Sequence, residues 1–166
     1  MIYVSLNMKN YLTILLLCLV FSFSCKKKSP EPPEVNLYTD GQVIGKWVYQ
    51  SLKVNGTSYP YPHTSDCGKD RFYFMNREGQ DHDYVELIYL NSNCALSTTN
   101  MDWKLKGENL ILNFGTQEFS YKILRLTQSN FDVQISTDYD GDGKADILEI
   151  YATREDCSTG DPFCQN

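Results

Sequence analysis

From residue 43 onward, apolar and polar side chains take turns in short runs, and turn-forming residues separate one run from the next. Phe131, Val133 and Ile135 alternate with Asp132, Gln134 and Ser136, the period of two expected of a half-buried strand. Lys46–Val54 (KWVYQSLKV) runs into Asn55-Gly56, a pair that favours a two-residue hairpin turn. Arg71–Met75 (RFYFM) precedes Asn76-Arg77-Glu78-Gly79, and Tyr84–Leu90 (YVELIYL) ends at Asn91-Ser92-Asn93. Met101–Leu105 (MDWKL) turns through Lys106-Gly107-Glu108-Asn109 into Leu110–Phe114 (LILNF). Gly115-Thr116 then leads to Glu118–Leu126 (EFSYKILRL), and Ile147–Thr153 (ILEIYAT) is the last run. Tyr59-Pro60-Tyr61-Pro62 is excluded from a central strand, because Pro has no N–H to give to the ladder. Eight or nine strands at intervals of roughly ten residues, without a sustained helical period, predict an all-β barrel or sandwich. An antiparallel meander that closes on itself removes its own edges, which suits a domain that must stay soluble.

The N-terminal pattern is different. Tyr11–Phe23 (YLTILLLCLVFSF) is an apolar run of 13 residues preceded by Lys9 and Asn10. A bilayer span needs about 20 residues, so the run reads as the apolar region of a secretory signal. It ends in Ser22-Phe23-Ser24-Cys25-Lys26, which is similar to the bacterial lipoprotein signal. In that family the Cys is acylated and becomes the new N-terminus, which makes Cys25 the anchored residue. Ser22 stands where Leu is usual, and Cys18, behind bulky Leu17, fits less well. Ordinary secretion with Cys25 left free is the alternative. Two or more acyl chains give stable anchoring. Lys26-Lys27-Lys28 would then meet lipid headgroups or serve as a solvated tether. Ser29–Glu34 (SPEPPE) is a Pro-rich extended linker, and the folded chain is expected to begin near Leu37.

Composition agrees with one exported β domain. The chain has 166 residues, enough for a single domain, and 42% of them are apolar, enough for a core. Twelve Tyr and eight Phe tilt it toward strands. The formal net charge is −6, and removing residues 1–24, whose only charged side chain is Lys9, makes it about −7. Such a chain repels nucleic acid and anionic lipid at long range, so nucleic-acid partners are not expected.

Gly45-Lys46-Trp47 resembles the G-x-W signature of lipocalins. The order that follows is GKW, a Cys ahead of FYF, a second Cys, WKLKGENLIL and YKILRLTQSNFDV. This order resembles the lipocalin-like domains of Gram-negative lipoproteins over about residues 41–154. The resemblance implies a small antiparallel barrel of eight or nine strands. It also implies that Trp47 closes one end, with an Arg from near the last strand lying over it. Arg154 is the first candidate and Arg125 the competing one. The implied organisation is a signal over residues 1–24, a lipidated N-terminus and linker over 25–40, and the barrel with a disulfide-closed tail over 41–166.

Four further cysteines, Cys67, Cys94, Cys157 and Cys164, argue for disulfides in an exported chain. Three connectivities are open. Proximity favours Cys157–Cys164, closing a loop around Thr159-Gly160-Asp161-Pro162, and leaves Cys67 to pair with Cys94 at the outer ends of a hairpin. Zinc is the rival reading, but there is no C-x-x-C pair, and His63 and His82 are not spaced as ligands.

Asp138–Glu149 reads DYDGDGKADILE. Asp138, Asp140, Asp142 and Asp146 fall at positions 1, 3, 5 and 9 of a calcium loop, with Gly143 at 6 and Glu149 at 12. Ca²⁺ takes six to eight oxygens at about 2.3–2.6 Å, and clustered carboxylates repel one another without a cation. Lys144 would give its backbone carbonyl. The flanks look like strands, so the loop resembles the hairpin loops of extracellular β-proteins more than an EF-hand, and Glu149 is the doubtful ligand. Structural calcium is expected here, against the alternative of an acidic hairpin turn.

No nucleophile elbow, phosphate loop or dinucleotide fingerprint is present, so no enzyme activity is expected. The expected function is that of a monomeric envelope lipoprotein of the outer membrane, facing the periplasm or the cell surface. Its barrel would hold a small apolar or amphipathic ligand among Tyr and Phe side chains. The alternative is a barrel filled by its own side chains, with a surface that binds an envelope protein or glycan, for instance through Tyr59 and Tyr61. A cavity above about 300 Å³ would favour the ligand.

Overall fold

The computed structural model describes residues 35–75, 82–157 and 163. The signal, Cys18, Cys25, the Lys26–Lys28 run, the Ser29–Glu34 linker and Cys164 lie outside the described residues. A single-turn helix α1 (Asp40–Val43) leads into β1 (Gly45–Val54), β2 (Thr57–Pro60), β3 (Arg71–Phe74), β4 (His82–Tyr89) and β5 (Leu96–Lys106). There follow β6 (Asn109–Phe114), β7 (Gln117–Leu126), β8 (Asn130–Thr137) and β9 (Asp146–Glu155). Among the described residues, no helix is long and apolar enough to cross a membrane.

β1 organises the closure. Its first half pairs with β3, from Gly45↔Phe74 to Val48↔Arg71, and its second half pairs with β2, from Ser51↔Pro60 to Val54↔Thr57. Its other edge pairs with β9, from Lys46↔Glu155 to Val54↔Leu148. Every strand from β3 to β9 pairs antiparallel with the next, so β1 and β3–β9 close an eight-stranded barrel. β2 is an extra strand paired on one side only, a position that tolerates Pro60. Asn55 and Gly56 both have positive φ (47° and 89°), as a type I′ hairpin turn requires.

Two register shifts adjust the period of two. One lies between Tyr49 and Ser51 on β1, the other between Ile123 and Arg125 on β7. Tyr49 and Leu52 thereby both face inward, as do Ile123 and Leu126. The core fills the barrel with Trp47, Phe72, Phe74, Trp103, Leu110 and Phe131. Burying each such side chain is worth about 1.5–3 kcal/mol.

A second apolar cluster lies on the outside of β3 and β4. Tyr73, Met75, Val85 and Leu87 are buried there, with Phe163 packed against them. The Tyr73 and Phe163 rings are 5.2 Å apart. This cover explains why RFYFM and YVELIYL are apolar on both faces. Cys67 and Cys94 form a disulfide with Cα atoms 5.4 Å apart, joining the segment before β3 to the β4–β5 turn. Cys157 is also disulfide-bonded.

Leu37 N–H donates to the Gly107 carbonyl at 3.1 Å, and Gly107 N–H donates to Asn36 Oδ1 at 2.9 Å. The residues just before α1 therefore dock on the β5–β6 turn.

Candidate functional site

Strand direction sorts the loops into two ends. α1, the start of β1, the β5–β6 and β7–β8 turns and the end of β9 lie at one end. The β1–β2 hairpin, the segment before β3, the β4–β5 turn and the acidic β8–β9 loop lie at the other.

The first end is sealed. Trp47 is fully buried, and its Nε1–H donates to the Val43 carbonyl at 2.8 Å. Arg154 sits directly opposite Trp47 in the β1–β9 ladder, with its guanidinium carbon 4.3 Å from the ring centroid. Its Nη1 and Nη2 donate to the carbonyls of Ile44 and Gln42, each at 2.7 Å. The cation thus lies on the indole face and ties down the last turn of α1, a contact worth about 0.5–2 kcal/mol. Gly45 has φ +142°, and a Cβ there would run into Nη1 of Arg154, so glycine is required. The competing residue, Arg125, is engaged elsewhere: its Nε donates to Asp132 at 2.6 Å.

Above this floor lies a cavity of about 110 Å³. Its wall includes Tyr49, Phe72, Phe74, Tyr84, Leu110, Leu112, Tyr121 and Phe131. One carboxylate, Glu86, faces this chamber. The Tyr49 hydroxyl donates to Glu86 Oε1, and the Tyr84 hydroxyl lies 3.5 Å from that of Tyr49. Burial pushes the Glu86 carboxyl above its ordinary range, with the charge of Asp70 adding to the effect and the tyrosine hydrogen bonds opposing it. Burial likewise raises Tyr49, Tyr84 and Tyr121, so these phenols keep their protons and remain donors.

The mouth is partly roofed. Tyr61 stacks on Tyr49, centroids 4.5 Å apart and planes at 6°. Tyr61 therefore packs over the barrel end, while Tyr59 is exposed. His63 holds this segment: Asp70 N–H donates to its Nδ1 at 3.0 Å, which leaves the ring proton on Nε2, facing the Tyr49 carbonyl at 2.9 Å. Nδ1 is thus an acceptor, and its 3.7 Å approach to Asp70 Oδ2 is not an ion pair. Asp70, fully buried, accepts instead from Tyr89 N–H at 2.7 Å.

At the same rim the β8–β9 loop gathers three of the six expected calcium ligands. Carboxylate oxygens of Asp138, Asp140 and Asp146 lie within 4.8 Å of one another. Oxygens around one Ca²⁺ are separated by up to about 5 Å, twice the bond length, so the spacing fits. The same carboxylates also accept loop N–H groups: Gly141 and Gly143 donate to Asp138, and Tyr139 donates to Asp146. Asp142 is turned to Lys144, whose N–H and Nζ contact it at 2.8 and 3.1 Å. Glu149 stands apart on β9. It pairs with Lys53 across the β1–β9 ladder at 3.2 Å and accepts from the Tyr151 hydroxyl, which with Lys53 holds it below the ordinary carboxylate range. As the loop is shaped here, strand register takes Glu149 out of the ligand set.

Glu86 escaped the sequence reading. In YVELIYL its neighbours Tyr84, Val85, Leu87 and Ile88 are apolar on both sides, so alternation assigns it no face. The only available signal was that a single charge interrupted a run of this kind.

A closed eight-stranded antiparallel barrel, with a G-x-W floor capped by an arginine and an aromatic chamber above it, defines the lipocalin class of fold. A model of the lipocalin-like domain matches residues 43–133, more than half of the chain, and the chain belongs to that family. Among solved structures it is similar to the major allergen Per a 4 from cockroaches. The identity is 12%, the match covers 72% of this chain and 71% of that one, and the TM-score is 0.53. The odorant binding protein OBP1 gives 14% identity, 74% and 78% coverage and a TM-score of 0.46. Lobster apocrustacyanin A1 gives 13% identity, 72% and 64% coverage and a TM-score of 0.45. At these identities the likeness is one of fold alone. No curated protein matches the chain.

Proposed function

We propose that this chain is a lipid-anchored envelope protein, held through Cys25, whose barrel binds a small apolar or amphipathic molecule. The observation that carries the reading is the aromatic chamber with one inward carboxylate. Binding rather than catalysis is the role, because the residues lining the chamber offer phenols and a carboxyl but no paired nucleophile and base. The occupant is small. About 110 Å³ is well below the roughly 300 Å³ of ordinary ligand sites, and nearer the ~150 Å³ that holds benzene in an apolar core. The same small volume favours the second reading, a filled barrel whose surface contacts an envelope protein or glycan.

Native mass spectrometry of the protein taken from its own envelope separates the two. The ligand reading expects acylated Cys25, two disulfides and a small non-covalent adduct lost on mild activation. A chain that carries acyl groups and disulfides but no adduct favours the filled barrel, and an unacylated Cys25 removes the anchor.

We also propose that the β8–β9 loop takes a structural Ca²⁺ through Asp138, Asp140 and Asp146. EGTA should lower the melting temperature, and Asp140→Ala with Asp142→Ala should abolish that sensitivity. A melt indifferent to EGTA removes calcium from the account.

A further inference from the structure

A half-buried carboxylate facing an aromatic chamber asks what offsets its charge. Four described lysines of the barrel wall pair with other carboxylates: Lys46 with Glu155, Lys53 with Glu149, Lys104 with Glu118 and Lys122 with Glu108. Arg154 is spent on the floor, over Trp47. Among the described residues, Glu86 is bonded by the Tyr49 hydroxyl and paired with no cationic side chain. The charge of Asp70, also an acid, adds to the upward push on the Glu86 carboxyl.

Three features then converge on one chemistry. A carboxylate offers about four acceptor positions, and the Tyr49 hydrogen bond leaves room for more donors. Phe72, Tyr84 and Tyr121 present aromatic rings around the same space. Such rings attract cations through their negative faces. Finally, the acidic β8–β9 loop stands at the mouth of a chain with a net charge of −6, so the field at the entrance draws cations in.

We propose that the barrel's occupant is a small primary ammonium ion, its N–H groups on Glu86 and its short apolar part against the rings above Trp47. This inference rests on the ligand-binding reading and deepens it. The cavity volume limits the occupant to a few non-hydrogen atoms beyond the nitrogen. Occupancy also accounts for Glu86: an ammonium supplies the opposite charge that burial otherwise denies the carboxylate.

The test compares n-butylammonium with 1-butanol, its near-isosteric neutral counterpart, on the full chain in detergent. The signals followed are the ¹³C-labelled side-chain carboxyl of Glu86 and the rings of Tyr49 and Tyr84. The amine should bind at least about tenfold more tightly than the alcohol, the scale of a desolvated charge and cation–π contact. Glu86→Gln should lower amine affinity by about the same factor and change 1-butanol affinity much less. Equal binding of the two probes overturns the ammonium inference and leaves the ligand-binding cavity standing. If neither probe moves the tyrosine signals, both fall. The comparison on the unmodified chain decides the matter even if the Glu86→Gln protein fails to fold.

Discussion

The two ends of this barrel are built from different materials. At the sealed end, the buried Trp47 ring packs 5.3 Å from Phe131, and Arg154 fastens α1 through two carbonyls. At the mouth, covalent and polar devices do the equivalent work. The Cys67–Cys94 bridge, the His63–Asp70 hydrogen bonds and the carboxylates of the β8–β9 loop hold segments that bury little apolar surface. The difference follows from what each end must leave open. A floor can be filled to core density, whereas an entrance filled in that way would be no entrance, so it is stiffened from its rim.

Mutations should separate the two ends. The largest effect belongs to the floor: Trp47→Ala should lower unfolding free energy by about 3–5 kcal/mol in denaturant titrations. Replacing the rim disulfide, Cys67→Ser with Cys94→Ser, should lower it by about 3 kcal/mol. That change should also loosen exchange of amides near His63 while sparing those around Trp47. Equal loosening at both ends would show that the barrel does not divide in this way. The smallest effect belongs to Glu86. Its carboxyl titrates higher in the folded chain than the ordinary value of 4.5, so the folded state holds the extra proton. That contribution is full below pH 4.5 and is lost as pH rises through the elevated value. Glu86→Gln should flatten this part of the stability profile and leave the floor unchanged.

Much of the barrel was legible because its turns carry their own chemistry. Asn55-Gly56 fixed the first hairpin, and Lys106-Gly107-Glu108-Asn109 marked the turn that became the β5–β6 connection. The disulfide at the mouth was legible for the same reason, since Cys67 and Cys94 flank a hairpin. What was not legible depended on pairing between distant residues. The choice of Arg154 over Arg125 required the β1–β9 register, which sets Arg154 opposite Trp47 and leaves Arg125 opposite Asp132. The diversion of Glu149 from the acidic loop to Lys53 came from that same ladder. Glu86 was hidden by a tail residue: Phe163 covers the outside of β3 and β4, and makes their outer faces as apolar as their inner ones.

Whether the barrel encloses usable space can be asked of a crystal directly. Xenon enters small apolar cavities and is easily located. Pressurised crystals should show one xenon atom among Phe72, Leu112 and Tyr121, and none between Trp47 and Arg154. A barrel interior without xenon, its tyrosine rings turned inward to fill the space, would contradict a binding chamber.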